Sequence, residues 1–158
     1  MMKSNPVSTR QSSAAALGAA AAPAPAPAAD CVRDRLRQAG IALTVQRLAL
    51  GALLFGRPQH ITAEQLLTAA RAQALSVSRA TVYNTLRLFV THGLLRELVI
   101  EGAETVYDSN TATHHHFYDV ATGEVFDIDA AALQINGLQT LADALTIEGV
   151  DVVVRGRR

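Results

Sequence analysis

His114, His115 and His116 stand in a row and hold three of the chain's five histidines. Imidazole nitrogens bind zinc, iron and manganese and serve as axial ligands to haem. In an extended strand successive side chains point to opposite faces, so His114 and His116 can converge on one ion while His115 faces the other way. The triplet also fits a solvated strand edge, so its meaning depends on the elements that carry it and on further ligands.

Those elements begin after a biased tail. Residues 1–29 are rich in Ala, Pro and Ser and end in alternating Pro, which offers little to bury and reads as a disordered or polyproline-II segment. Leu17 is the only large aliphatic residue where a signal peptide needs an apolar core. Four helices are predicted next. The first runs from Asp30, with Val32 and Leu36 apolar at i and i+4 and Gly40 as its stop; the second is capped by Thr44 and carries Val45, Leu48, Ala49, Ala52 and Leu53 at helical spacing. The third opens at Thr62 in a capping box with Gln65, and the fourth runs from Ser78 to about His92, followed by Gly93. Strands over 94–100 and 104–108, turned at Gly102, form a two-stranded wing. Beyond the histidines come strands over 116–120 and 124–128, a helix over about 130–145 and a last strand over 150–155.

The predicted fold class is α+β: a winged helix-turn-helix domain over residues 30–110, then a small α/β unit over 111–158 that is short for a self-sufficient core and suits dimerisation. Formal net charge is zero, yet residues 30–96 hold nine arginines against three acids. Residues 97–158 hold three arginines against eleven acids. A basic first half can face phosphate while an acidic second half supplies carboxylates. On the fourth helix Val82, Leu86 and Phe89 form the core stripe. Arg79, Thr81, Tyr83, Asn84 and Arg87 face away from it and suit the major groove, with Arg47 and Arg96 on phosphates.

The run from Ser78 to Leu86, with Ala80-Thr81-Val82-Tyr83 at its centre, then His92-Gly93-Leu94-Leu95, the wing and the histidine cluster resemble the ferric uptake regulator family across about residues 30–156. Asn84, the unbroken histidine triplet and the ending Asp151-Val152-Val153-Val154-Arg155 are most similar to its haem-responsive iron response regulator subgroup. The resemblance implies a homodimeric repressor that binds A·T-rich operator DNA and responds to a ligand at the hinge between its domains. It also implies a site of His60, Asp108, His114 and His116 for zinc, ferrous iron or manganese, with haem at His114, His115 or His116 as the alternative.

The chain departs from the family elsewhere. Where the first Cys-x-x-Cys pair of a structural zinc site would fall it has Asp119 and Thr122, and Cys31 is its single cysteine, so no four-cysteine zinc and no disulfide framework is expected. Cys31 is followed by Val32 rather than by the Pro of a Cys-Pro haem motif. No apolar run approaches the ~20 residues of a membrane span, and a cytoplasmic location is expected. A small metal-dependent hydrolase and a metal chaperone or storage module are the rival classes. The first lacks a recognisable general base beside an open metal position, and the second has no use for a helix-turn-helix face, so no enzymatic activity is expected.

Overall fold

A computed structural model describes residues 29–138, 140 and 145–158. Four helices lead: α1 (Ala29–Gln38), α2 (Val45–Leu54), α3 (Ala63–Ala72) and α4 (Arg79–Thr91), with a three-residue strand β1 (His60–Thr62) between α2 and α3. Strands β2 (Arg96–Leu98) and β3 (Val106–Asp108) complete a first antiparallel sheet in the order β1-β3-β2. A second sheet, in the order β5-β4-β6, joins β4 (His114–Asp119) antiparallel to β5 (Val125–Asp129) and parallel to β6 (Val153–Gly156). The α+β winged-helix architecture is as expected. No described helix is long and apolar enough to cross a membrane.

The helix starts follow from local chemistry. Thr44, Thr62 and Ser78 each accept a backbone N–H of the first turn, and the capping box of Thr62 and Gln65 is closed in both directions. α4 ends in a double reverse bond, Leu94 N–H to the Phe89 carbonyl at 2.8 Å and Gly93 N–H to that of Val90 at 3.0 Å. This turn needs the left-handed backbone of Gly93 (φ +68°) and sends the chain into β2.

Val82, Leu86 and Phe89 are buried as the pattern predicts, in a core with Val32, Leu36, Leu50, Leu54, Leu66 and Leu67. α2 differs: Val45 is 81% exposed, and the side turned fully inward carries Leu50, Gly51 and Leu54. Gly51 sets that face, because a Cβ there would lie 2.7 Å from a Val32 methyl, so α1 and α2 meet backbone to side chain. β1 is an element that the pattern does not reveal. The helix expected over 130–145 is not continuous: Ala130–Ala132 form one 3-10 turn, Leu133 is extended, and residues 139 and 141–144 lie outside the described residues, as does the tail over 1–28.

The wing does not stand free. Leu98, Ile100 and Val106 pack against Tyr118, Val125 and Val153 of the second sheet. Arg96 pairs with Asp151 and also donates to the Ala112 carbonyl at 3.1 Å, while Arg155 lies 3.9 Å from Glu101 at the wing tip. Where the family's cysteines would fall, Asp119 accepts the Ala121 N–H at 2.8 Å and Thr122 that of Glu124 at 3.2 Å, so hydrogen bonds brace the β4–β5 turn.

Candidate metal centre and nucleic-acid face

His60 is placed by a network reaching back to α2. The Gln59 side-chain amide donates to the carbonyls of Leu53 and Leu54 at 2.7 and 2.9 Å, satisfying the end of that helix. Ser109 receives the Gln59 N–H on its hydroxyl at 3.0 Å and donates to the Arg57 carbonyl at 3.1 Å. These bonds fix the register that sets His60 opposite Asp108 across β1 and β3. On β4, His114 and His116 share one face by strand alternation, as expected.

His60, Asp108, His114 and His116 meet, each offering one ligand atom within 4.8 Å of the others. His114 Nε2 lies 2.9 Å from His116 Nε2 and 3.0 Å from Asp108 Oδ2, and His116 Nε2 is 3.4 Å from that same oxygen. A fifth group joins them. Asp127, opposite His116 on β5, brings Oδ1 to 3.0 Å from His60 Nε2 and 3.5 Å from His114 Nε2. Sequence reasoning missed Asp127, because its membership depends on the β4–β5 register. The available signal was an acid in mid-strand in the run that pairs with the histidines.

The donors fit a divalent cation. Although His60 Nε2 and Asp127 Oδ1 face each other at 3.0 Å, neither is in hydrogen-bond geometry with any group among the described residues, and both are buried. Such orphaned atoms are costly unless a common partner satisfies them. The closer donor pairs, 2.9–3.9 Å apart, are at separations spanned around one ion with bonds of about 2.0–2.2 Å. His114 Nδ1 donates to the Ala112 carbonyl at 2.8 Å, which fixes the tautomer and leaves the Nε2 lone pair directed at the centre. Asp108 is held by the Asn110 N–H at 2.7 Å, and the Asn110 amide donates to Asp127 Oδ2 at 3.0 Å. Burial pushes the Asp127 carboxyl up, but the contacts of His60 and Asn110 and the charges of His60 and His114 outweigh it and hold the group at about 2. His115 points away from this centre, buried, with Nδ1 unpartnered among the described residues.

On the other side, α4 exposes Tyr83, Asn84 and Arg87 along one face. A groove of about 200 Å³ between α4 and the wing is lined by these three with Glu97 and Tyr107. Thr81 is half-buried, and its hydroxyl bonds the Ser78 cap at 2.8 Å. Arg79 pairs with Glu64 of α3, and Arg47 folds back onto the Ala42 carbonyl at 2.8 Å. Arg96, expected on phosphate, pairs with Asp151 and donates to the Ala112 carbonyl, because the register of the wing carries it to the second sheet.

Residues 38–152 match the Ferric uptake regulator family. The chain is 34% identical over 111 residues to the peroxide-responsive repressor PerR of Staphylococcus aureus, covering 70% of this chain and 74% of that one. Among solved structures it resembles the ferric uptake regulator of Pseudomonas aeruginosa with manganese, at 25% identity and a TM-score of 0.64, over 80% of this chain and 96% of the other. It also resembles the Vibrio cholerae ferric uptake regulator, again 25% identical, with a TM-score of 0.66 over 80% and 98%. These relatives are regulators rather than enzymes. A winged helix whose wing ends in a buried carboxylate, met by imidazoles from both sheets, is thus accompanied by a match over most of the chain, and the protein belongs to the ferric uptake regulator family.

Proposed function

We propose that the chain is a homodimeric, cytoplasmic, metal-responsive repressor that binds A·T-rich operator DNA through α4 and controls iron or haem homeostasis genes. The observation that carries this reading is the convergence of three imidazoles and two carboxylates drawn from both sheets. His60 and Asp108 belong to the winged-helix sheet, and His114, His116 and Asp127 to the other. A bound divalent cation supplies the positive charge that lets these five groups sit together. Three imidazoles with two carboxylates suit ferrous iron or manganese better than a closed four-coordinate zinc site. By holding His60 and Asp108 against β4 and β5, the chain fixes the angle of α4 to the second sheet, and two recognition helices of a dimer are then set for one duplex.

The test is gel-shift titration of protein loaded with Mn²⁺ against chelator-treated protein, beside a His114→Ala/His116→Ala variant and Tyr83→Ala. Metal is expected to tighten operator binding by the wild type but not by the double variant, and Tyr83→Ala to weaken binding about 5- to 150-fold while leaving the dimer intact. A double variant that responds to metal like the wild type overturns the sensor assignment.

Haem is the second reading, as the likeness to the iron response regulator subgroup implies. A buried His115, turned away from the ion centre and with Nδ1 unpartnered among the described residues, favours it. A Soret band lost on His115→Ala but kept in the absence of divalent metal would select haem over the ion site.

A further inference from the structure

We infer that Glu64 is a specificity-determining residue of operator recognition, acting by holding Arg79 as a reader of base edges instead of a phosphate contact. The inference rests on the operator-binding reading above. Arg79 is the first residue of α4, and in a helix-turn-helix unit the N-terminal residues of the second helix reach the bases. A cation there is opposed by the helix dipole, and the first turn of α4 has no acid to offset it. The offset comes from α3, where Glu64 occupies the second helical position behind the closed capping box and pairs with the Arg79 guanidinium. The pair joins the N-termini of the two helices that make the motif. Glu64 also lines, with Tyr83, a groove of about 180 Å³ against the wing, so it sits on the reading side of α4.

The chemistry separates Arg79 from Arg87. One Nη1 bond to Glu64 uses one of five coplanar donors and leaves the others for the O6 and N7 acceptors of guanine. The neighbouring carboxylate repels phosphate and brings the pair's net charge near zero, so Arg79 adds little to the sequence-independent attraction of the backbone. Arg87, exposed further along α4, has no carboxylate partner among the described residues and suits a phosphate.

Selection from a random duplex pool with Mn²⁺-loaded protein, repeated with Arg79→Ala and Glu64→Gln, tests this. The wild type is expected to require guanine at one position of each half-site by about 5- to 150-fold, and Arg79→Ala to lose that preference. Glu64→Gln is expected to lose preference at the same position while binding unrelated duplex more tightly, with a salt dependence steeper by about one ion. Both side chains are substantially exposed, and thermal melting checks that the variants fold. If the wild type selects a sequence but Glu64→Gln keeps the same guanine preference, or Arg79→Ala loses none, the role of Glu64 is refuted and the operator reading stands. If the wild type selects no sequence, the operator reading fails and takes this one with it.

Discussion

Asp127→Asn separates a five-donor centre from a four-donor one. Asparagine keeps the shape and can still accept the Asn110 amide bond made at Oδ2, so the change removes the charge facing His60 and His114 and turns towards them an NH2 group that binds no cation. At a metal concentration a hundredfold above the wild-type dissociation constant, binding stabilises the folded chain by about 2.7 kcal/mol. Losing one supporting group weakens metal affinity roughly 10- to 100-fold. At the same concentration the stabilisation then falls to between about 1.4 and about 0.4 kcal/mol. For a chain of this size each kcal/mol moves the midpoint by about 2–4 °C. Thermal unfolding with and without Mn²⁺ is therefore expected to show a rise of about 5–11 °C for the wild type and about 1–6 °C for Asp127→Asn, with calorimetric titration reporting the affinities directly. An equal metal-induced rise in both proteins would refute the assignment and leave Asp127 as a structural neighbour of a site made by His60, Asp108, His114 and His116.

The same variant reports on acid stability in the metal-free protein. The folded pKa of Asp127, about 2, lies below its ordinary value of 3.8, so the unfolded chain holds the proton more tightly and the group stabilises the fold above about pH 4, losing that contribution as pH falls towards 2. Nearly two units correspond to at most about 2.4 kcal/mol. With 34% of the side chain exposed, screening reduces this to about 1 kcal/mol. Urea unfolding is expected to show a gap of that size between wild type and Asp127→Asn at pH 5 that narrows below pH 4, and a gap constant from pH 5 to 3 contradicts it. Asp151→Asn, which frees Arg96, is expected to cost under about 1 kcal/mol of stability yet to raise the metal concentration needed for half-maximal operator binding; an unchanged midpoint in a gel-shift titration means that Arg96 does not couple the sheets.

What was legible in the chain was local. The caps at Thr44, Thr62 and Ser78 could be read because each uses neighbours within three residues, and the inward stripe of α4 because thirteen residues show a full period. His114 and His116 follow from strand alternation alone. What escaped was set by pairing between distant segments. β1 is three residues long and has no period of its own, yet it positions His60. Asp127 joins the site only through its register with His116, and Arg96 gains its partner only because Asp151, 55 residues on, comes beside it. In α2 the face buried is decided by Gly51 and its contact with Val32, a property of two helices that neither shows alone.

The three residues of β3 indicate how the two halves of the molecule are joined. Alternation puts Val106 and Asp108 on one face of that strand and Tyr107 on the other. Val106 is packed on the second sheet and Asp108 faces the imidazoles, so that face is tied to the histidine site. Tyr107 packs into the helical core and borders both grooves beside Tyr83, so the opposite face is tied to the exposed face of α4. Burial pushes the Tyr107 hydroxyl up, with Glu97 and Tyr83 adding to the effect. A strand so short and so fully buried cannot shift on one face without shifting on the other. If the chain acts as proposed, the path from ligand to operator needs no long relay: it would cross the thickness of one strand, and it would work in both directions, since a duplex that fixes α4 would favour the ion site by the same factor that the ion favours the duplex.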